Sequence, residues 1–153
     1  MESVREQIQI FVRRFGLLNA SCCETCCEEQ VSLLQSHILC EIRRTGDPAM
    51  QQVADELGID ITTFSRQVKS LEKRRFIVRR MSPKDRRVTL LGLTDEGKRV
   101  LEQIDRYMTK KIEDIFSLMS PFERETVTRS LGLLNGVLAT NGNRTKEKLA
   151  CCK

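Results

Sequence analysis

Four cysteines fall within six residues, Cys22-Cys23-Glu24-Thr25-Cys26-Cys27, and a vicinal pair, Cys151-Cys152, stands beside Lys153. Cys23 and Cys26 make a C-x-x-C, and 22/26 and 23/27 are i,i+4 pairs if the segment is helical. Thiolates are soft ligands suited to Zn(II), Cu(I) or a metalloid such as As(III). Thiols this close together capture one ion with little ordering cost, and the same spacing lets them oxidise to disulfides. In a reducing compartment, seven cysteines in 153 residues point to metal ligands or redox thiols before structural disulfides. A structural zinc site fits less well, because no second C-x-x-C follows at a ribbon-like distance. Cysteines without a role complete the alternatives. Cys40, alone on an apolar stretch, is expected in the core, and His37, the single histidine, in the core or on a helix surface rather than on a metal.

No glycine-rich phosphate loop and no Ser/His/Asp or Cys/His pairing accompanies these thiols. The C-x-x-C also lacks the βαβ pattern of a thiol oxidoreductase. The chain is therefore read as a binding protein, not an enzyme, and no motif demands a cofactor beyond the soft ions named above. The longest apolar runs are a few residues, too short for a membrane span. The start Met1-Glu2-Ser3-Val4-Arg5-Glu6 is charged and lacks the apolar stretch of a secretion signal, so the expected location is the cytoplasm.

Charge gives the first hint of a partner. The net charge is +5, but residues 43–99 hold 14 Lys/Arg against 8 Asp/Glu, whereas the remainder holds 12 against 13. The positive excess thus sits wholly in one segment, and a basic lobe favours a polyanion by releasing its condensed counterions.

The elements that position these residues follow from periodicity. Apolar residues at 4, 8, 11, 12, 15 and 18 predict a helix over Val4–Leu18, broken by Asn19-Ala20-Ser21. A second helix is predicted from about Glu28 to Arg44. Asp47 is expected to cap a short helix over Ala49–Leu57, with Pro48 at its first position and Gly58 after its end. Asp60 caps the next helix, to about Arg75, with Ile61, Phe64, Val68 and Leu71 inward. Phe76–Met81 and Val88–Leu93 alternate as two strands joined by the basic loop Ser82–Arg87. Thr94 caps a long helix to about Leu118. Ser120 and Pro121 open a last one to about Leu138, followed by a polar tail. Ile8, Phe11, Phe15 and Leu18 at one end, and Leu131, Leu134, Val137 and Leu138 at the other, form broad apolar faces suited to a second copy. Helix, tight turn, second helix and basic-tipped hairpin over Gln51–Gly97 are the layout of a protein that lays a helix in the major groove of DNA. A two-fold dimer sets two such helices about 34 Å apart, one DNA turn, matching a pseudo-palindromic site.

At the hairpin the pattern becomes specific. Asp85-Arg86-Arg87-Val88-Thr89-Leu90-Leu91-Gly92-Leu93-Thr94-Asp95-Glu96-Gly97 resembles the wing of the MarR family of winged helix-turn-helix regulators. Val53-Ala54-Asp55-Glu56-Leu57-Gly58-Ile59, Thr62-Thr63-Phe64-Ser65-Arg66 and Leu71-Glu72-Lys73-Arg74 resemble it as well. Ala49, where the family often has a Ser or Thr cap, and the cysteine cluster depart from its pattern. The resemblance implies a mainly α fold with a small β-hairpin wing, a winged helix-turn-helix, and a helical dimerisation region built from both chain ends. On that division residues 1–27 and 119–153 dimerise, and 28–118 hold the DNA-binding region and a connecting long helix. The helix after Asp60 then enters the major groove through Thr62, Thr63, Ser65, Arg66, Gln67 and Lys69. The wing brings Arg86 and Arg87 to the backbone and minor groove, with Asp85 holding the Arg87 guanidinium. Arg74, Arg75, Arg79 and Arg80 are expected to meet phosphates or water rather than bases.

The sequence thus implies a homodimeric, DNA-binding transcriptional repressor with a pseudo-palindromic operator and no membrane partner. Release is expected when Cys22, Cys23, Cys26 and Cys27, with Cys151 and Cys152, bind As(III), Zn(II) or Cu(I) or are oxidised. The alternatives are a repressor gated by a small organic ligand, with incidental cysteines, and a thiol redox or metal-buffering protein that does not use DNA.

Overall fold

The computed structural model describes residues 3–18 and 31–145. Along these residues run α1 (Val4–Phe15), α2 (Leu33–Thr45), α3 (Met50–Glu56), α4 (Ile61–Lys73), β1 (Ile77–Met81), β2 (Thr89–Leu93), α5 (Asp95–Ser117) and α6 (Pro121–Thr145). The fold is mainly helical with one antiparallel hairpin, a winged helix-turn-helix. Two compact units divide at Met108/Thr109, and α5 runs through the division. Among the described residues no helix is long and apolar enough to cross a membrane.

The first unit is built around one apolar cluster. Ile38, Leu39 and Ile42 of α2 meet Val53 and Ala54 of α3, Phe64, Val68 and Leu71 of α4, Ile77 and Leu91 of the hairpin, and Val100, Leu101 and Ile104 of α5. Each helix contributes one stripe, as the 3–4 residue spacing dictates. Val31 and Phe76, both fully buried, close the cluster from outside the helices. Cys40 is half-buried and packs against it, while His37 is exposed. Of the inward face expected on α4, Phe64, Val68 and Leu71 are buried, but Ile61 is 43% exposed because it occupies the first helical position, beyond the reach of the core.

The helix ends show which local signals won. Asp60 caps α4, its carboxylate accepting from the Thr63 N–H at 2.9 Å. Thr94 accepts from the Gly97 N–H at 3.0 Å ahead of α5, and Ser120 precedes α6 with Pro121 as its first residue. The start of α2 falls later than the periodicity suggests. Residues 28–30 lie outside the described residues, Val31 and Ser32 are not helical, and a reciprocal Ser32–Gln35 capping box begins the helix at Leu33. Asp47 does not cap α3. Ala49 holds the cap position without a side-chain bond, and Pro48 lies before it rather than at the first turn. The Asp47 carboxylate instead meets Arg80 at 2.7 Å, and this charged partner outweighs a helix N–H. Helix α6 continues past the expected end at Leu138 to Thr145, because a polar run without proline does not stop a helix already nucleated.

The exit of α4 is a Schellman turn. The Phe76 N–H bonds to the Leu71 carbonyl at 3.0 Å and the Arg75 N–H to that of Glu72 at 2.9 Å. Arg75 has φ 61°, so the helix stops at Lys73 instead of running to Arg75. The Phe76 carbonyl then accepts from the Thr94 N–H at 3.0 Å, and the Thr94 hydroxyl donates to the Arg75 carbonyl at 2.6 Å. The hairpin register pairs Ile77 with Leu93 and Met81 with Thr89. Leu91 reaches across to the Pro48 carbonyl through a 2.9 Å bond.

Gly97 makes this junction fit, since a Cβ on it would stand 2.0 Å from the Phe76 carbonyl oxygen. Gly97→Ala must therefore push α5 off the hairpin base. Overpacking of this kind costs about 1–3 kcal/mol or more. The variant should lose at least about 2 kcal/mol in urea unfolding, read as a lower midpoint at unchanged slope; an unmoved midpoint would show that the junction yields freely.

Candidate nucleic-acid interface

Helix α4 presents two polar edges around its buried stripe. Thr62, Arg66, Lys69 and Lys73 are exposed and follow 3–4 residue spacing, so they share one outward face. Thr63 and Ser65 are half-buried; Thr63 engages the Asp60 cap. Gln67 is half-buried and directs its Oε1 inward, where it accepts from the Gln35 amide of α2 at 3.1 Å. The outward set on α4 is thus Thr62, Arg66 and Lys69, joined by Lys73, which the sequence reading left out although it lies one further turn along the same face.

The loop between β1 and β2 is held by its own hydrogen bonds. Ser82 N–H donates to the Val88 carbonyl at 2.8 Å, and the Val88 N–H to that of Asp85 at 2.9 Å. The Asp85 carboxylate accepts from the Arg87 backbone N–H at 2.9 Å, an Asx-type turn. The expected carboxylate–guanidinium contact is not made: Asp85 shapes the turn, and the Arg87 guanidinium makes no ion pair among the described residues. Lys84, Asp85, Arg86 and Arg87 are all exposed at this tip.

Pairing sorts the cations. Arg43 meets Asp105 at 2.5 Å, Arg79 meets Glu72 at 2.5 Å, and Arg80 meets Asp47. Arg74 lies over the Phe76 ring at 4.6 Å, a cation–π contact. Arg74, Arg79 and Arg80 thus each have a partner within the fold, although Arg79 and Arg80 remain exposed to water, as expected of them. Arg66, Lys69, Lys73 and Arg75 on or beside α4, and Lys84, Arg86 and Arg87 on the wing, make no ion pair among the described residues. Two clusters of cations outside any ion pair result, one on a helix face and one on an arm.

Gln35 was not anticipated as part of this site. The Ser32-x-x-Gln35 spacing is a capping-box pattern and was the available signal. An open cleft of about 470 Å³ lies beside the hairpin, where Ile42, Arg43, Arg80 and Lys98 face it. Cys22, Cys23, Cys26, Cys27, Cys151 and Cys152 lie outside the described residues. Among the described residues no group of three or more His, Cys, Asp or Glu is placed to hold a metal ion.

The MarR family model matches residues 31–89, from the buried Val31 through the first residue of β2. A Bacillus subtilis protein described as the uncharacterized HTH-type transcriptional regulator YxaD is 28% identical over 135 residues, covering 88% of this chain and 92% of its own. The crystal structure of Streptococcus pneumoniae FabT in complex with DNA superposes with a TM-score of 0.77 at 23% identity, covering 90% of this chain and 96% of FabT. PcaV from Streptomyces coelicolor, solved with its natural ligand, gives 0.67 at 19% identity over 89% and 96%. At these identities the two structures establish the shared fold.

The cap that starts α4 depends on pH. The Thr63 side-chain hydrogen bond, then its backbone N–H, hold the Asp60 carboxyl below its ordinary value. Its stabilising contribution is therefore full above the unfolded Asp value of about 3.9 and is lost as pH falls through the lower folded value. Asn caps helices without titrating. In urea titrations from pH 7 to 3, wild type should lose stability relative to Asp60→Asn below about pH 4. Parallel pH profiles would remove Asp60 as the source.

Proposed function

The chain belongs to the MarR family, and from that premise we propose that this DNA-binding transcriptional regulator is a homodimeric repressor that reads a pseudo-palindromic operator. Helix α4 enters the major groove and the wing reaches the flanking minor groove. The observation that carries the reading is the placement of the unpaired cations: they gather on the outer face of α4 and at the wing tip, whereas the neighbouring Arg79 and Arg80 are paired with carboxylates at the surface. Thr62 and Lys69 serve phosphate and groove contact, Arg66 offers a bidentate base contact, and Arg86 and Arg87 supply the arm. Thr63, Gln67 and Asp85 act by holding these residues in place, and Ser65 adds a small polar group that allows close approach to the groove. FabT, of the same fold, was crystallised with DNA.

Dimerisation is supported by apolar residues that water would otherwise cover. Ile8 and Phe11 on α1 and Leu131, Leu134, Val137 and Leu138 on α6 are all exposed. Two helices with apolar faces of this kind call for a second copy. Release is assigned to the cysteines on the strength of their spacing and thiolate chemistry: Cys22, Cys23, Cys26 and Cys27, with Cys151 and Cys152, bind As(III), Zn(II) or Cu(I), or oxidise. A second reading, release by a small organic molecule, draws on the 470 Å³ cleft, which falls within the size range of ligand pockets.

Arg87→Ala should weaken binding to a duplex selected by the wild-type protein by about 1–3 kcal/mol, measured by fluorescence anisotropy; unchanged affinity would remove the wing from the interface. Replacing Cys22, Cys23, Cys26 and Cys27 together by Ser should leave that affinity intact and abolish release by As(III), Zn(II), Cu(I) or peroxide. Release that survives the replacement would favour the organic ligand.

A further inference from the structure

Gln35 is only 8% exposed and uses every hydrogen-bonding position of its amide. Its Nε2 donates to Gln67 Oε1 at 3.1 Å and to Ser70 Oγ at 3.3 Å, both on α4. Its Oε1 accepts from the Ser32 N–H at 3.3 Å and from Arg74 Nη1 at 3.5 Å. The partners fix the amide's orientation, because turning it over would set its NH2 against two donors.

We propose that Gln35 is a positioning residue for DNA reading, the group that sets the rotation of α4 about its own axis. The inference rests on α4 being the reading helix, as proposed above. Phe64, Val68 and Leu71 bury α4, but apolar contact is non-directional and tolerates sliding. Hydrogen bonds constrain angle as well as distance. Gln67 and Ser70 lie one turn apart along α4, so two bonds from a single amide resist both rotation and translation. Thr62, Arg66 and Lys69 project from the same helix, and a small rotation there moves an Arg66 fork off its base. The other end of the amide belongs to the α2 capping box, so α4 is referenced to the first turn of α2 and not to solvent.

The test compares Gln35→Met, Gln67→Met, the double variant, Ser32→Ala and Arg66→Ala. Each is titrated with a duplex selected by wild type from a random pool, and with an unselected random duplex, across a KCl series, alongside its thermal midpoint. Gln35→Met should lower affinity for the selected duplex about tenfold, the scale of one lost base contact, with random-duplex affinity and salt slope unchanged. Gln67→Met should do the same and the double variant no more, since both cut one link. Ser32→Ala removes the cap but spares the bonds to α4; it should lower the midpoint and keep the selected-to-random ratio. If Gln35→Met does not fold, Gln67→Met decides. Retention of the ratio in both methionine variants while Arg66→Ala loses it overturns the inference, as does an equal loss in Ser32→Ala. If Arg66→Ala also keeps the ratio, α4 is not the reading helix and the inference falls with that assignment.

Discussion

The winged unit depends on one carbonyl, that of Phe76. It belongs to the residue whose N–H closes the Schellman turn of α4, accepts the Thr94 N–H where the hairpin closes, and lies against Gly97 in the first turn of α5. Thr94 ties the remaining ends, donating to Arg75 and accepting from Gly97. Three elements thus share four residues, and the angle between helix and arm is set by backbone bonds rather than by long side chains. The proposed contact with two grooves at once needs that angle fixed, because each groove contact would be lost if the other were made at the wrong tilt. Arg75 accepts an unfavourable left-handed conformation, φ 61°, at the same point. Its carbonyl faces Thr94 while its side chain remains exposed among the unpaired cations.

Much of this was legible because it is local. Asp60, Thr94 and Ser120-Pro121 mark helix starts through bonds that span three residues, and such bonds form wherever the spacing permits. The stripes on α2, α4 and α5 follow from period alone. What escaped was decided across the fold. Asp47 looks like a cap until Arg80, 33 residues later, folds back against it over Gly92, where a Cβ would crowd both groups. The inward hydrogen bond of Gln67 is not visible until Gln35 is placed beside it. Arg79 and Arg80 look free until the strand register brings Glu72 and Asp47 within reach. Polar side chains carry no period that says which of two partners they will choose, and for that reason the site was less legible than the core.

The basic segment is therefore not a uniform patch. Its exposed ion pairs contribute little stability, but they remove arginines from competition for a polyanion. The interface is defined as much by carboxylates that silence neighbouring cations as by the cations left over. Glu72 and Asp47 narrow the positive surface to a helix face and an arm, and a narrower surface restricts the orientations in which DNA is attractive.

The self-bonded turn at the wing has a thermodynamic consequence. Asp85 supplies both its carboxylate and its carbonyl to the backbone that carries Arg87, so the arm is shaped before any duplex arrives. Association then freezes side chains but little main chain, and forgoes the ordering entropy and heat-capacity change of an arm that folds on its target. In the proposed complex an arm of this kind leaves encounter to long-range attraction and acts mainly on residence time, holding the duplex rather than searching for it.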